Sequence, residues 1–207
     1  MSKTLREYFS IEPQTKIETL PLLFADATHD IYLIKQHHIV IKQVRTNDLK
    51  NSIFWQKMDS LFNANLFTQF NKLEKTYQTL AEISPLNIPS FLLKITDPNQ
   101  NFYAFSTSLM QGETLQPKAV NKIMVAQLAT HLASCHNHKP SLIMPDLRWD
   151  QFLTDGQKIT AFVDLDALIE GPAELDWTIL EYLLTKEQAV WFLEAYKKIP
   201  CLQKFQG

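Results

Sequence analysis

The sequence predicts an α+β fold in two parts, a small antiparallel sheet in the N-terminal half and a mostly helical C-terminal half. Two pairs of strand patterns lie before about residue 110, and a long amphipathic pattern lies between them. After Pro117 the patterns are mainly helical. We therefore expect two lobes that meet near Met110-Gln111-Gly112, an N-lobe over residues 1–110 and a C-lobe over residues 111–207.

The N-lobe begins with a predicted β-hairpin, in which the polar stretch from Lys35 to His38 separates two apolar runs. The predicted strands of this lobe cover residues 30–34, 39–44, 91–95 and 102–106. Between the two strand pairs, apolar side chains recur at three- and four-residue steps and predict an amphipathic helix. We expect its inward side chains to be Phe67, Phe70, Leu73, Tyr77, Leu80 and Ala81. Pro85 and Pro89 mark its end.

The C-lobe begins with a predicted helix over residues 120–136. Its expected inward positions are Ile123, Ala126, Leu128, Leu132 and Cys135. Two short strands joined by the turn Asp155-Gly156 follow, and two helices complete the lobe. The predicted ranges are 151–154 and 159–164 for the strands and 175–184 and 186–197 for the helices.

Bulk properties exclude several classes of function. A formal charge of −2 gives the molecule no overall attraction to nucleic acid or to anionic lipid. No apolar run approaches the roughly 20 residues needed to span a bilayer, and the N-terminal residues have no apolar signal core. Two cysteines, Cys135 and Cys201, do not make a disulfide framework, which favours a reducing, cytoplasmic location.

Lys42 interrupts the apolar run Ile39-Val40-Ile41 of a predicted strand. A buried ammonium group is unfavourable unless it is paired, so Lys42 either points to solvent or meets an anion. The helix that follows carries two acids, Glu74 and Glu82, and its pattern does not decide which of them faces the lysine.

The segment Asp146-Leu147-Arg148-Trp149-Asp150-Gln151 is the most informative in the chain. A loop carboxylate such as Asp146 can accept the proton of an attacking hydroxyl or orient that hydroxyl. Gln151, five residues later, offers a neutral oxygen to a cation. The alternative is a surface loop in which Asp146 only caps a turn.

Asp164 follows an apolar strand pattern, eighteen positions after Asp146, and Asp166 comes two residues later. Two acids at the end of a buried strand repel each other unless a cation or hydrogen bonds compensate. Mg²⁺ suits such a site, because it is held by a few carboxylate oxygens together with phosphate oxygens and water. The alternative is a strand-end turn in which both acids are hydrated.

Two other groups of residues have simpler interpretations. Asp176 lies in the first turn of a predicted helix, where a negative charge is favoured by the helix dipole. His131, Cys135, His136 and His138 cluster near a helix end, but the sequence has no Cys-x-x-Cys or matched second pair, so we do not expect a zinc site.

With these residues in order, the chain resembles the aminoglycoside and choline kinase group of small-molecule phosphotransferases, which share the protein-kinase fold. The likeness covers about residues 22–197, nearly the whole chain. It implies a two-lobed protein-kinase-like fold with ATP and Mg²⁺ as cofactors. It also implies that Asp146 is the catalytic aspartate and that Gln151 and Asp164 bind the metal.

The resemblance further implies that Lys42 holds nucleotide phosphates and pairs with Glu74. The segment from Leu109 to Leu115 is similar to the family's hinge, so backbone groups near Ser108 and Met110 would hold adenine. Asp176 matches an aspartate that steadies the catalytic loop in this fold.

Three departures separate the chain from the family pattern. Met144-Pro145 precedes Asp146 where the family has His-Gly, and Gln151 replaces the usual asparagine. The expected phosphate-covering loop, residues 24–29, has no glycine. The chain also ends early, so helices that line the acceptor site in the family would be reduced.

The leading hypothesis is therefore an ATP- and Mg²⁺-dependent kinase for a hydroxyl of a small molecule, such as a sugar or amino alcohol. A catalytically degenerate kinase that serves as a binding module is the alternative. A kinase acting on protein or on a lipopolysaccharide sugar would share the same residues, and the sequence does not indicate the oligomeric state.

Overall fold

The computed structural model describes residues 3–22, 27–47 and 52–199. The described helices are α1 (Leu5–Tyr8), α2 (Ile53–Phe62), α3 (Leu66–Ile83), α4 (Lys122–Asn137), α5 (Glu174–Leu183) and α6 (Lys186–Tyr196). The described strands are β1 (Glu18–Thr19), β2 (His29–Ile34), β3 (Ile39–Val44), β4 (Phe91–Asp97), β5 (Phe102–Ser108), β6 (Glu113–Thr114), β7 (Leu142–Ile143), β8 (Phe152–Thr154), β9 (Ile159–Phe162) and β10 (Ile169–Glu170). Half of the predicted phosphate-covering loop, residues 24–26, and Cys201 lie outside the described residues.

The main sheet is antiparallel, with the strand order β1-β2-β3-β5-β4. Strands β2 and β3 form the predicted hairpin, and β3 pairs next with β5. Two smaller sheets, β6-β8-β9 and β10-β7, lie among the later elements. An antiparallel sheet followed by mainly helical structure confirms the predicted α+β class.

The chain divides into two compact units. One unit takes the described residues as far as Asn65 together with Ser90–Leu109, and it contains the five-stranded sheet. The other takes Leu66–Pro89 and the described residues from Met110 onward, and it contains α3 to α6. Each unit consists of two separate stretches of the chain, so one boundary in the sequence cannot divide them. The lobe boundary at residue 110 stays a prediction.

The region before β4 forms two helices, where the sequence pattern had indicated one. Helix α2 ends at Phe62 and is capped by Asn63, whose backbone is left-handed (φ 50°) and whose N–H donates to the Asp59 carbonyl at 2.9 Å. The buried stripe of α3 is Leu66, Phe70, Leu73, Tyr77 and Leu80. The expectation that Phe67 and Ala81 face inward was wrong, because each lies one position away from that stripe.

Helix α4 is the central helix of the second unit and packs against α6 and β7. Asn121 caps its start by accepting a hydrogen bond from the Met124 N–H at 3.0 Å. Leu128, Leu132 and Cys135 are buried as predicted, whereas Ile123 is 60% exposed and its inward assignment was wrong. Met124 and Val125 fill the inward positions of that turn instead.

Candidate active site

The loop from Met144 to Gln151 alternates buried and partly exposed residues. Leu147 and Trp149 are buried, and they anchor the loop on either side of Arg148. The Trp149 indole N–H also donates to the carbonyl of Leu183 at 3.4 Å. Asp146, Arg148 and Asp150 are partly exposed between these anchors. One short segment of the loop therefore presents a carboxylate, a guanidinium group and a second carboxylate.

Arg148 draws three carboxylates together. Its Nη1 atom lies 2.6 Å from Asp146 Oδ1, and its Nε atom lies 3.1 Å from Asp150 Oδ1. Its Nη2 atom lies 4.0 Å from Asp164 Oδ2. Two acids singled out from the sequence, Asp146 and Asp164, thus lie around one guanidinium group.

Asp164 reaches this cluster because of the strand pairing next to it. Phe152 pairs with Phe162 across β8 and β9, and the Val163 N–H donates to the Gln151 carbonyl at 3.0 Å. Asp164 was expected at the end of the strand, but β9 ends at Phe162, so Asp164 lies in the loop that follows. Its side chain is 34% exposed, which leaves the carboxylate accessible to a ligand.

Gln151 lies in a short 3₁₀ turn and not in the predicted strand. Its Nε2 atom donates to the Asp146 carbonyl at 2.6 Å, and its Oε1 atom accepts from the Arg148 N–H at 3.0 Å. The residue is 2% exposed. Both ends of the amide thus close the loop on itself.

The Asp146 carboxyl has an unusual proton affinity. Burial raises its pKa to about 6, and the neighbouring carboxylates of Asp164 and Asp150 act in the same direction. The charge of Arg148 and its hydrogen bond oppose the rise. A carboxyl group with a pKa nearer neutrality is better suited to accept a proton than an ordinary aspartate.

Asp176, on helix α5, bonds to the backbone at the start of the loop. It is fully buried, and its Oδ1 atom accepts a hydrogen bond from the Met144 N–H at 2.9 Å. Its Oδ2 atom lies 2.9 Å from His136 Nε2. Because a carboxylate only accepts, His136 Nε2 donates this hydrogen bond, and His136 Nδ1 lies 2.9 Å from the Tyr196 hydroxyl. Asp176 therefore does more than stabilise the start of α5.

Lys42 belongs to the first unit and lies on β3, 7% exposed. Its Nζ atom is 5.9 Å from the centre of the Phe105 ring, on the neighbouring strand. The alternative that Lys42 simply points to solvent is therefore wrong. Its proposed role toward phosphate stays a prediction.

The roles of the other residues that were predicted to bind the nucleotide also stay predictions. Glu74 and Glu82 both lie on the exposed side of α3. Ser108 ends β5, where its N–H donates to the Ser90 carbonyl and its hydroxyl accepts from the Ser90 N–H, both at 2.9 Å. A base held near Ser108 and Met110 would have to use other backbone groups than the Ser108 amide.

A groove of about 490 Å³ lies on the other face of the main sheet. Side chains alternate along a strand, so Ile41 and Ser106 line the groove while Lys42 and Phe105 face away from it. The groove contains none of the predicted site residues. The charged cluster around Arg148 is therefore the better candidate for the chemistry.

The histidine and cysteine side chains near the end of α4 do not form a metal site. Among the described residues, no group of three or more His, Cys, Asp or Glu side chains is arranged to hold a metal ion. His131 instead bonds through Nδ1 to the Ser84 hydroxyl at 2.8 Å, and its Nε2 atom lies 3.8 Å from Cys135 Sγ.

We expect His131 to make stability depend on pH. Burial lowers its pKa from 6.5 to about 4, and the nearby His136 adds to the effect. The unfolded chain then binds a proton at His131 below about pH 6.5, whereas the folded chain does not until about pH 4. The free energy of unfolding should fall by on the order of 3 kcal/mol across that window. Urea unfolding at several pH values, compared with His131→Gln, measures this; equal slopes for both proteins would contradict it.

We expect the Cys135 thiol to be unreactive in the folded protein. Cys135 is fully buried, and burial raises the pKa of its thiol, so the reactive thiolate is disfavoured. In a Cys201→Ser variant, iodoacetamide should label Cys135 only after denaturation. Labelling of the native variant at the rate of a free thiol would refute this.

Sequence reasoning missed four residues that shape the site. Arg148 and Asp150 belong to the pattern Asp-x-Arg-x-Asp, in which a guanidinium group lies between two acids along the chain. His136 had been considered as a metal ligand and as the end of the family's helix before the catalytic loop, but not as a partner of Asp176, and Tyr196 had no local signal. His136 bonds to Asp176 and Tyr196 bonds to His136, so these contacts join α4, α5 and α6.

The residues fit a magnesium ion only in part. Asp164 offers an accessible carboxylate, and Mg²⁺ commonly uses one or two such groups together with phosphate oxygens. Gln151 does not fit as it lies, because its oxygen already accepts from the Arg148 N–H.

The fold is similar to that of antibiotic phosphotransferases of known structure. A GDP and kanamycin complex of APH(2")-IIia has a TM-score of 0.68 at 14% identity, over 95% of this chain and 82% of that chain. A gentamicin complex of APH(2")-IIa gives 0.64 at 13%, over 95% and 82%. The macrolide 2'-phosphotransferase MphH from Brachybacterium faecium gives 0.58 at 10%, over 90% and 78%.

Neither models of protein families nor curated proteins match the sequence. The similarity therefore lies in three-dimensional structure, which changes more slowly than sequence. The chain has the protein-kinase-like fold of the aminoglycoside phosphotransferases, and the resemblance noted from its motifs is confirmed at the level of fold.

Proposed function

We propose that the chain is a phosphotransferase that moves the terminal phosphoryl group of a nucleoside triphosphate to a hydroxyl of a small molecule. One observation carries the proposal: Asp146 and Asp164 lie around the same guanidinium, at 2.6 Å and 4.0 Å. Chemistry of this kind needs one carboxylate at the attacking hydroxyl and another near the phosphates. The shared fold supports the proposal.

In the proposed reaction, the acceptor oxygen forms a bond to the γ-phosphorus. The bond between that phosphorus and the β–γ bridging oxygen breaks, and its electron pair leaves with the nucleoside diphosphate. Asp146 orients the hydroxyl and takes its proton, a role that the raised pKa of this carboxyl suits. Asp176 holds the loop in place through the Met144 N–H.

The nucleotide is proposed to be ATP, with Lys42 binding its phosphates and backbone groups near Ser108 and Met110 binding its base. GTP is an equally direct candidate, because APH(2")-IIia was solved with GDP and APH(2'')-Ib with ADP. Asp164 would hold a magnesium ion that arrives with the nucleotide and offsets the phosphate charge.

The acceptor is proposed to be a sugar-containing or amino-alcohol molecule. The similar proteins bind kanamycin, gentamicin and streptomycin or act on macrolides at the 2' position. The described part of the chain contains no helix long and apolar enough to cross a membrane.

The proposal is tested by incubating the protein with ATP or GTP, Mg²⁺ and each antibiotic in turn. We expect ³¹P NMR to detect a new phosphate monoester that depends on the acceptor and disappears in Asp146→Asn. A folded wild-type protein that makes no ester with any acceptor would count against the proposal.

A second candidate is a nucleotide-binding module without turnover. The engagement of the Gln151 oxygen within the loop favours it, because a metal ligand of the family is thereby lost. Under this alternative nucleotide binds and the Asp146→Asn variant retains biological activity. Complementation of a deletion strain with that variant separates the two candidates.

A further inference from the structure

Arg148 occupies a position where a cation is needed. It contacts Asp146 and Asp150 directly and lies 4.0 Å from Asp164. Three carboxylates this close would repel one another without an intervening positive charge. The guanidinium is planar and carries donors on several sides, so one positive charge at this position reaches all three carboxylates.

The Gln151 side chain is held by hydrogen bonds within the loop and is therefore not free to bind a metal ion. Its oxygen accepts from the Arg148 N–H at 3.0 Å and its nitrogen donates to the Asp146 carbonyl at 2.6 Å. With one methylene more than asparagine, the side chain folds back onto its own loop. A buried amide satisfied at both ends would lose a hydrogen bond on turning toward a metal.

Protein kinases hold two magnesium ions, one through an aspartate after a strand and one through an asparagine of the catalytic loop. In this chain Asp164 stands at the first of these positions and Gln151 at the second. Among the metal positions, this chain therefore differs from protein kinases only at that of the second ion, and that position lies beside the guanidinium of Arg148.

We propose that Arg148 supplies from within the chain the positive charge of a second divalent ion, and that Gln151 fastens the loop and does not bind metal. The protein accordingly takes up one divalent ion with its nucleotide, held by Asp164. This inference rests on the proposed function only in treating the nucleotide as the ligand that brings the ion. It makes Arg148 a positioning residue for the carboxylates.

The test counts metal ions and does not depend on turnover. Mn²⁺ is titrated into the protein saturated with a non-hydrolysable ATP or GTP analogue, and free Mn²⁺ is followed by electron paramagnetic resonance. We expect one bound Mn²⁺ in total per wild-type chain with its analogue, namely the ion that arrives with the nucleotide, after a protein-free control has given the Mn²⁺ held by the unbound analogue. Two bound ions, or none, would overturn the inference.

Substitution of Arg148 gives the sharper result. Arg148→Ala should bind Mn²⁺ about tenfold more tightly or take up a second ion, because the carboxylates lose their internal cation. Arg148→Lys should keep the wild-type count, and Arg6→Ala, an arginine in the N-terminal segment, serves as control. A purely structural role for Arg148 predicts unchanged or weaker metal binding in the Ala variant, and that result would refute the inference.

If the Ala variant does not fold, Arg148→Gln is titrated instead, since it removes the charge but keeps a polar side chain, and the same two outcomes apply. Failure of the proposed function has a different signature. A protein that binds one Mn²⁺ with nucleotide but forms no phosphate ester would uphold the role of Arg148 and reject phosphoryl transfer.

Discussion

Asp146→Asn is expected to lower the turnover number by about 10²–10⁴-fold, because proton acceptance and orientation by a side chain contribute about that much. The amide keeps the size of the carboxylate but cannot take a proton. It also loses the charge that pairs with Arg148 at 2.6 Å. Steady-state kinetics with the best acceptor measure the effect, and the loss should appear in kcat more than in the KM for nucleotide.

Glu181→Gln provides the matched control for this variant. Glu181 is an exposed carboxylate on α5 in the same unit, so the substitution makes the same chemical change away from the loop. We expect it to leave turnover unchanged. Wild-type turnover in Asp146→Asn, or an equal loss in both variants, would remove Asp146 from the chemistry.

Asp176→Ala is expected to destabilise the protein by about 3–5 kcal/mol, because it removes one partner of a fully buried pair. His136 and the Met144 N–H would both lose their acceptor in a site without solvent. Urea unfolding followed by tryptophan fluorescence measures the change. At temperatures where the variant remains folded, turnover should also fall, since the loop loses its anchor.

Glu174→Ala distinguishes this account from a simple helix-dipole effect. Glu174 lies in the same first turn of α5 but is exposed. Its loss should cost no more than about 0.3–1 kcal/mol. Similar losses of stability in Glu174→Ala and Asp176→Ala would show that the buried contacts of Asp176 contribute little.

Local patterns predicted the elements of the fold well because each reflects burial within a short segment. The hairpin of β2 and β3 and the long helix α3 followed from alternation and from three- and four-residue spacing. The register of α3 was less certain, since one step around a helix turns a side chain by about 100°. Phe67 was misplaced for that reason. Helix α2 was missed because no pattern marked Asn63 as the residue that ends it.

The candidate site was predictable where spacing along the chain fixes spacing in space. Asp146 and Asp164 both lie near Arg148 because β8 and β9, which come between them in sequence, form an antiparallel pair that the strand patterns indicated. The hydrogen bonds of Gln151 form because its side chain folds back on its own loop. Asp176 bonds to His136 on α4, and His136 bonds in turn to Tyr196 on α6. Such contacts arise from packing and leave no local signal.

The central claim, that the Asp146–Asp164 cluster handles a nucleotide, is tested most directly by calorimetric titration of the protein with ATP and GTP in the presence of Mg²⁺. The account predicts saturable binding of at least one nucleotide, weakened about tenfold or more in Asp164→Asn and nearly unchanged in Asp146→Asn. Absence of binding at millimolar nucleotide, or equal affinity in the wild type and Asp164→Asn, would contradict it.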